Sequence, residues 1–115
     1  MFWPDSPSLD GALRRYLSSL ARRDEVVEVY LCGSRAKGTH TAASDVDLVI
    51  LIRDGTGPAA LKPRDRVPAY LPDSFPTSLD LFVYTEHEAR ESPFVRHLTE
   101  EGIPLLGGGG PVSPP

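Results

Sequence analysis

Two aspartates one residue apart, Asp45 and Asp47, open the apolar run Leu48-Val49-Ile50-Leu51-Ile52, and a Gly33-Ser34 pair precedes them with ten residues between. On an extended strand, residues i and i+2 share a face, so the two carboxylates point the same way while Val46 and Leu48 point into packing. Like charges held that close repel unless a proton or a cation sits between them. Hard oxygen donors of this kind suit Mg²⁺ or Mn²⁺, which typically bind one or two carboxylates together with substrate phosphates. For either aspartate alone, capping the turn before a strand is the simpler explanation. The Gly33-Ser34 pair stands where an apolar run gives way to a helix-forming stretch, a place where backbone N–H groups and the positive helix end attract phosphate oxygens. Glycine lets the backbone approach a ligand and the Ser34 hydroxyl adds a donor, although a tight strand-to-helix turn asks for glycine on steric grounds as well.

Asp80 is the third carboxylate of interest, because it interrupts Leu79-Asp80-Leu81-Phe82-Val83-Tyr84. An unpaired charge in an apolar strand is costly to bury, which predicts a partner for it. If that strand lies beside the Asp47 strand, Asp45, Asp47 and Asp80 form a three-carboxylate cluster suited to two-metal, in-line phosphoryl or nucleotidyl transfer. Asp80 would then also serve as general base. Lys37 reads either as a phosphate or ion-pair contact or as a solvated charge. His40, in the loop between turn and carboxylates, reads as a phosphate contact or an exposed loop residue, and His87 and His97 as helix-surface residues.

The elements that must position these groups follow from periodicity. Residues 8–23 carry Leu9, Ala12, Leu13, Tyr16, Leu17 and Leu20 at helical spacing, with Ser8 or Asp5 available as N-cap. Residues 26–32 alternate Val27, Val29 and Leu31 against Glu28 and Tyr30, a strand ended by Gly33. Residues 34–38 predict a short helix, and 47–52 a central strand apolar on both faces. Between residues 53 and 78, Pro58, Pro63, Pro68, Pro72 and Pro76 restrict helix to short pieces, at 59–62 and 67–71. Residues 79–84 predict a third strand. Thr85 with Glu88 makes a capping box for a helix over 85–90, and Ser92-Pro93 starts another that ends near Gly102. Residues 103–106 predict a short edge strand. No internal repeat is visible.

A length of 115 residues with 40% hydrophobic composition predicts one domain, over 1–106, followed by a disordered Gly/Pro-rich tail at 107–115. The net charge of −4 argues against a nucleic-acid surface, which needs a basic field. A single cysteine, Cys32, forms no internal disulfide and reads as a small buried side chain in a reducing compartment. With neither a leader-like N-terminus nor a run of roughly 20 apolar residues, the reading is cytoplasmic, with no membrane partner.

The order Gly33-Ser34, Asp45-Val46-Asp47 and then Asp80 in an apolar strand resembles the DNA polymerase β-like nucleotidyltransferase superfamily, specifically its minimal nucleotidyltransferase (MNT) domains. The likeness runs over roughly residues 9–106 and includes Arg35-Ala36-Lys37-Gly38, Ser44 and the Ser92-to-Ile103 ending. It implies an α/β (α+β) nucleotidyltransferase fold, a small mixed β-sheet of three to four strands flanked by helices. It also implies transfer of a nucleoside monophosphate from a nucleoside triphosphate, expected to be ATP, to a hydroxyl acceptor. Gly33, Ser34, Lys37 and Ser44 would bind the triphosphate, and Asp45, Asp47 and Asp80 would hold Mg²⁺ or Mn²⁺ and carry catalysis. Relatives of this kind act beside a HEPN-domain protein as the antitoxin of a toxin–antitoxin pair, which leaves a homo- or hetero-oligomer open. The alternative reading is a non-catalytic nucleotide-binding or partner-binding module. The proline-rich segment departs from the many relatives that place a helix there.

Overall fold

A computed structural model describes residues 7–38 and 45–106. Ser44, His40, Asp5 and the predicted tail at 107–115 lie outside the described residues. The first helix, α1, spans Pro7–Ala21 and buries Leu9, Leu13, Tyr16 and Leu20, the three- and four-residue spacing that puts side chains on one stripe. Ser8 therefore lies inside the helix rather than capping it. β1 (Val26–Cys32) follows, then the one-turn helix α2 (Gly33–Lys37), closed by Gly38 at φ +75°. β2 spans Val46–Ile52.

The proline-rich connection folds into two 3₁₀ turns, Pro58–Ala60 and Val67–Ala69, around the single-turn helix α3 (Pro63–Arg66). Helix was expected at 59–62 and 67–71. Instead the pieces begin at Pro58, Pro63 and Val67-Pro68, because proline's fixed φ suits the first helical positions. β3 (Leu79–Thr85), α4 (Glu86–Glu91), α5 (Pro93–Glu101) and the short β4 (Ile103–Leu106) complete the order. The capping box forms as read: Glu88 N–H donates to Thr85 Oγ1 at 3.1 Å and Thr85 N–H to Glu88 Oε1 at 2.8 Å. Ser92 likewise accepts from Val95 N–H.

The strands form one mixed sheet in the order β3-β2-β1-β4, with β2 and β3 parallel and the other pairs antiparallel. A parallel neighbour cannot be reached by a tight hairpin, so the long 53–78 connection is a topological need. Val27 does not join a clean alternation. Val26 pairs with Ile52 and Glu28 with Leu51, leaving Val27 as the extra residue of a bulge.

The sheet is covered on both sides. On one face α1 and the 58–75 connection pack over Val29, Leu31, Val46, Leu48, Ile50 and Ile52. On the other, α4 and α5 cover Cys32, Val49 and Leu51 through Ala89, Val95 and Leu98. This explains why β2 is apolar on both faces from Leu48 onward. Tyr16 and Tyr70 are packing residues with satisfied hydroxyls, Tyr16 donating to the Tyr70 carbonyl at 2.6 Å and Tyr70 to Glu25 Oε2 at 2.8 Å. No helix among the described residues is long and apolar enough to cross a membrane.

Candidate active site

The carboxylates stand at the one end of the sheet where its apolar pattern stops. Strand register places Cys32 of β1 opposite Asp47 of β2, and Asp47 opposite Asp80 of β3. The three side chains therefore form a transverse row on the face that carries Val49 and Leu51 further along. Asp47 is half-buried and Asp80 exposed. Burial first, then repulsion from Asp80, a hydrogen bond shared with Asp80 and repulsion from Asp45, push the Asp47 carboxyl from its ordinary 3.8 up to about 6. Two carboxyl groups set side by side in this way favour a proton or a cation between them.

Asp45 is exposed and sits just before β2, with Val46 N–H tied to the Ser78 carbonyl at 2.9 Å. Asp45 acts on Asp47 through charge alone, whereas Asp80 acts through both charge and a hydrogen bond. Among the described residues, no three His, Cys, Asp or Glu side chains are gathered closely enough to hold a metal ion as they stand. The structure thus brings Asp47 and Asp80 together as a pair and sets Asp45 beside it. None of the ion pairs among the described residues includes Asp45, Asp47, Asp80 or Lys37, and Lys37 is exposed on α2.

Gly33 joins the turn to this pair. Its φ of +73° lies in the left-handed region that side chains disfavour, and a Cβ there would collide with Asp47 Oδ2 and lie 3.3 Å from its Cγ. The glycine is therefore needed twice, for the turn and for the carboxylate lying against its α-carbon. At five residues α2 contributes little macrodipole, so its leading N–H groups are what the turn offers an anion. Cys32 is a buried structural thiol: Sγ lies 3.5 Å from the Leu98 carbonyl, and burial together with Asp47 pushes it up to about 11. His87 and His97 are exposed, as read.

This donor set fits a divalent cation in kind: it is all carboxylate oxygen, and burial together with the like charge beside it raises the Asp47 carboxyl, a cost a cation would relieve. A cleft of about 590 Å³ lined by Arg23, Glu25, Arg53 and Pro58 opens at the far end of β1 and β2, where Val26 pairs with Ile52. Its charges are engaged locally, Arg23 with Glu25 at 3.6 Å and Arg53 Nε with the Asp24 carbonyl at 2.9 Å, so the chemistry points to the carboxylate end instead.

Residues 13–105 match the family model of the nucleotidyltransferase domain. The chain belongs to this family. As a nucleotidyltransferase domain of the minimal, polymerase β-like kind, it has the mixed four-stranded sheet flanked by helices that the sequence implied. No curated relative matches it. Among solved structures it is similar to a Sulfolobus solfataricus protein, provisionally described as a nucleotidyltransferase, with 22% identity, 71% of each chain covered and a TM-score of 0.54. That likeness bears on the nucleotidyltransferase fold.

Sequence reading passed over Arg66, which the structure buries among five hydrogen bonds. It also gave Phe82 no role apart from its strand. An arginine inside a proline-rich stretch, and an aromatic two residues after Asp80, were the available signals.

Proposed function

We propose that the domain carries out metal-dependent nucleotidyl transfer, moving a nucleoside monophosphate from a nucleoside triphosphate, ATP in the first instance, to a hydroxyl acceptor. The observation that carries this reading is the parallel register that pairs Asp47 with Asp80, with the Asp47 carboxyl raised by burial and by its acidic neighbours. Asp47 and Asp80, joined by Asp45, would hold Mg²⁺ or Mn²⁺, which supplies Lewis-acid polarisation of the phosphoryl oxygens and neutralises the developing charge. Gly33 and Ser34, with Lys37 and Ser44, would seat the triphosphate. The acceptor oxygen attacks the α-phosphorus, and an O–P bond forms as the bond to the bridging oxygen breaks. Pyrophosphate leaves with that electron pair, and the acceptor's proton passes to Asp80.

For the acceptor, the resemblance points to a hydroxyl on a HEPN-domain partner, in a toxin–antitoxin pairing. The test is incubation with α-labelled ATP, Mg²⁺ and such a partner, followed by mass spectrometry. An added nucleotide on the partner is expected, together with pyrophosphate release. Mg²⁺-dependent triphosphate binding without pyrophosphate release would instead mark a non-catalytic nucleotide-binding module.

A further inference from the structure

The face of the sheet that carries the carboxylates is covered unevenly. Along that face, the row after Asp47 and Asp80 is Val49 and Phe82, and the next is Leu51 and Tyr84. Val49 is fully buried and Leu51 nearly so beneath α4 and α5, yet Phe82 is 37% exposed and belongs to neither core cluster. β3 is an edge strand, so nothing pairs beyond it among the described strands. A groove of about 330 Å³ turns over this edge, from Phe82 and Tyr84 on the carboxylate face to Leu81, Val83, Pro63, Arg64 and Val67 on the opposite side. An exposed ring thus lies two residues, roughly 7 Å, from Asp80 on the same face, at the rim of an apolar groove.

In-line displacement adds direction. The leaving pyrophosphate and the attacking hydroxyl must stand on opposite sides of the α-phosphorus. Gly33 and Ser34 follow β1, on one flank of Asp47, and Asp80 lies on the other. A triphosphate seated at the turn leaves the β3 flank for the acceptor. On this basis, and resting on the nucleotidyl-transfer reading above, we infer that Phe82 is an acceptor-specificity residue. Its ring takes the apolar surface next to the acceptor hydroxyl and holds that hydroxyl toward Asp80, the rest of the acceptor passing over the β3 edge. The favoured acceptor carries an aromatic or otherwise apolar group beside its hydroxyl, and a bare small alcohol is a poor one.

Two primary alcohols of similar intrinsic reactivity, 2-phenylethanol and ethanol, serve as probes with the full chain, ATP and Mg²⁺, with AMP formation reporting transfer to water. The wild type should adenylylate 2-phenylethanol with a KM about tenfold below that for ethanol. Phe82→Ala should raise the 2-phenylethanol KM about tenfold toward the ethanol value, leaving kcat, the KM for ATP and AMP formation unchanged. Phe82→Trp should restore the preference. The inference is overturned if Phe82→Ala leaves the ratio of the two alcohols as it was. It is equally overturned if the KM for ATP moves instead, which would make the ring a support for the nucleobase. AMP formation by the wild type with no ester of either alcohol also overturns it while sparing the transfer reading; absence of both AMP and esters would defeat that reading, and this inference with it.

Discussion

Two charged centres sit on the same pair of parallel strands and are resolved in opposite ways. At the start of β2 and β3, Asp47 and Asp80 are held together with no cation of the described chain paired to them. Roughly 10 Å further along β3, Arg66 is 2% exposed and spends all five guanidinium N–H donors. Nε donates to the Pro58 carbonyl at 2.9 Å, Nη1 to the Val83 carbonyl at 3.0 Å and Glu88 Oε1 at 2.6 Å, and Nη2 to the Ala59 carbonyl and Glu88 Oε2, both at 3.1 Å. Burying a charge is tolerable only when its partners come with it. Arg66 therefore reads as architecture: it ties the proline-rich connection to β3 and to the first turn of α4. The carboxylate pair keeps an electrostatic demand that the described fold leaves to an incoming ligand.

The contrast breaks most readily at Asp47. Asp47→Asn or Asp80→Asn should cut nucleotidyl transfer on the order of 10²–10³-fold, because the donor set for the cation is lost. Thermal unfolding of either variant should stay level or rise, since a like-charge contact has been relieved. A variant with wild-type turnover would remove the pair from the chemistry.

Arg66→Met should do the reverse, losing about 3 kcal/mol of stability by leaving Glu88 and the buried carbonyls without their donor. Urea unfolding measures this, and Arg66→Lys should recover only part of it, since an ammonium cannot reproduce the planar fork. A loss below ~0.5 kcal/mol, the range of an ordinary surface change, would remove the architectural role.

Gly33→Ala probes the seam between turn and carboxylate. The positive φ alone should cost about 1–2 kcal/mol. Displacement of the Asp47 carboxylate should lower transfer by about 10²-fold, a loss readable in kcat separately from the stability change.

The smallest effect is a pair of opposite pH slopes. The hydrogen bond from Arg66 holds Glu88 below its ordinary 4.5, so the unfolded chain takes up this proton first. The stability Glu88 contributes is present above that ordinary value and lost as pH falls through the lower folded one. Asp47 behaves in the opposite sense. Between 3.8 and about 6 the folded chain binds its proton more tightly, so its contribution is complete below 3.8 and lost as pH rises through about 6. Unfolding midpoints in EDTA should show both limbs. Asp47→Asn should erase the upper one, Glu88→Gln the lower one, and saturating Mg²⁺ should flatten the upper limb in the wild type. An upper limb that survives Asp47→Asn would belong to another group.

How much of this was legible in the chain differs by element. The alternation of residues 26–32, the double-sided apolar run after Asp47, and the Thr85/Glu88 and Ser92/Pro93 signals gave strands and helices close to those observed, because caps and periodicity act within a few residues. The connection was less legible, because its helical turns are held in part by carbonyl bonds to Arg66 that no local pattern announces. The motif named the three acids, and the structure graded them: Asp47 with Asp80 as register partners, Asp45 at the margin.

Sequence by itself determined the residue types at each site, the faces taken along β2 and β3, and membership of the nucleotidyltransferase family, since period, spacing and side-chain chemistry are local. Only the tertiary structure decided that β3 lies parallel beside β2, in the register that brings Asp80 against Asp47 and leaves Phe82 uncovered. Strand pairing joins residues more than thirty positions apart, and the Asp47 pKa depends on distances that such pairing alone creates.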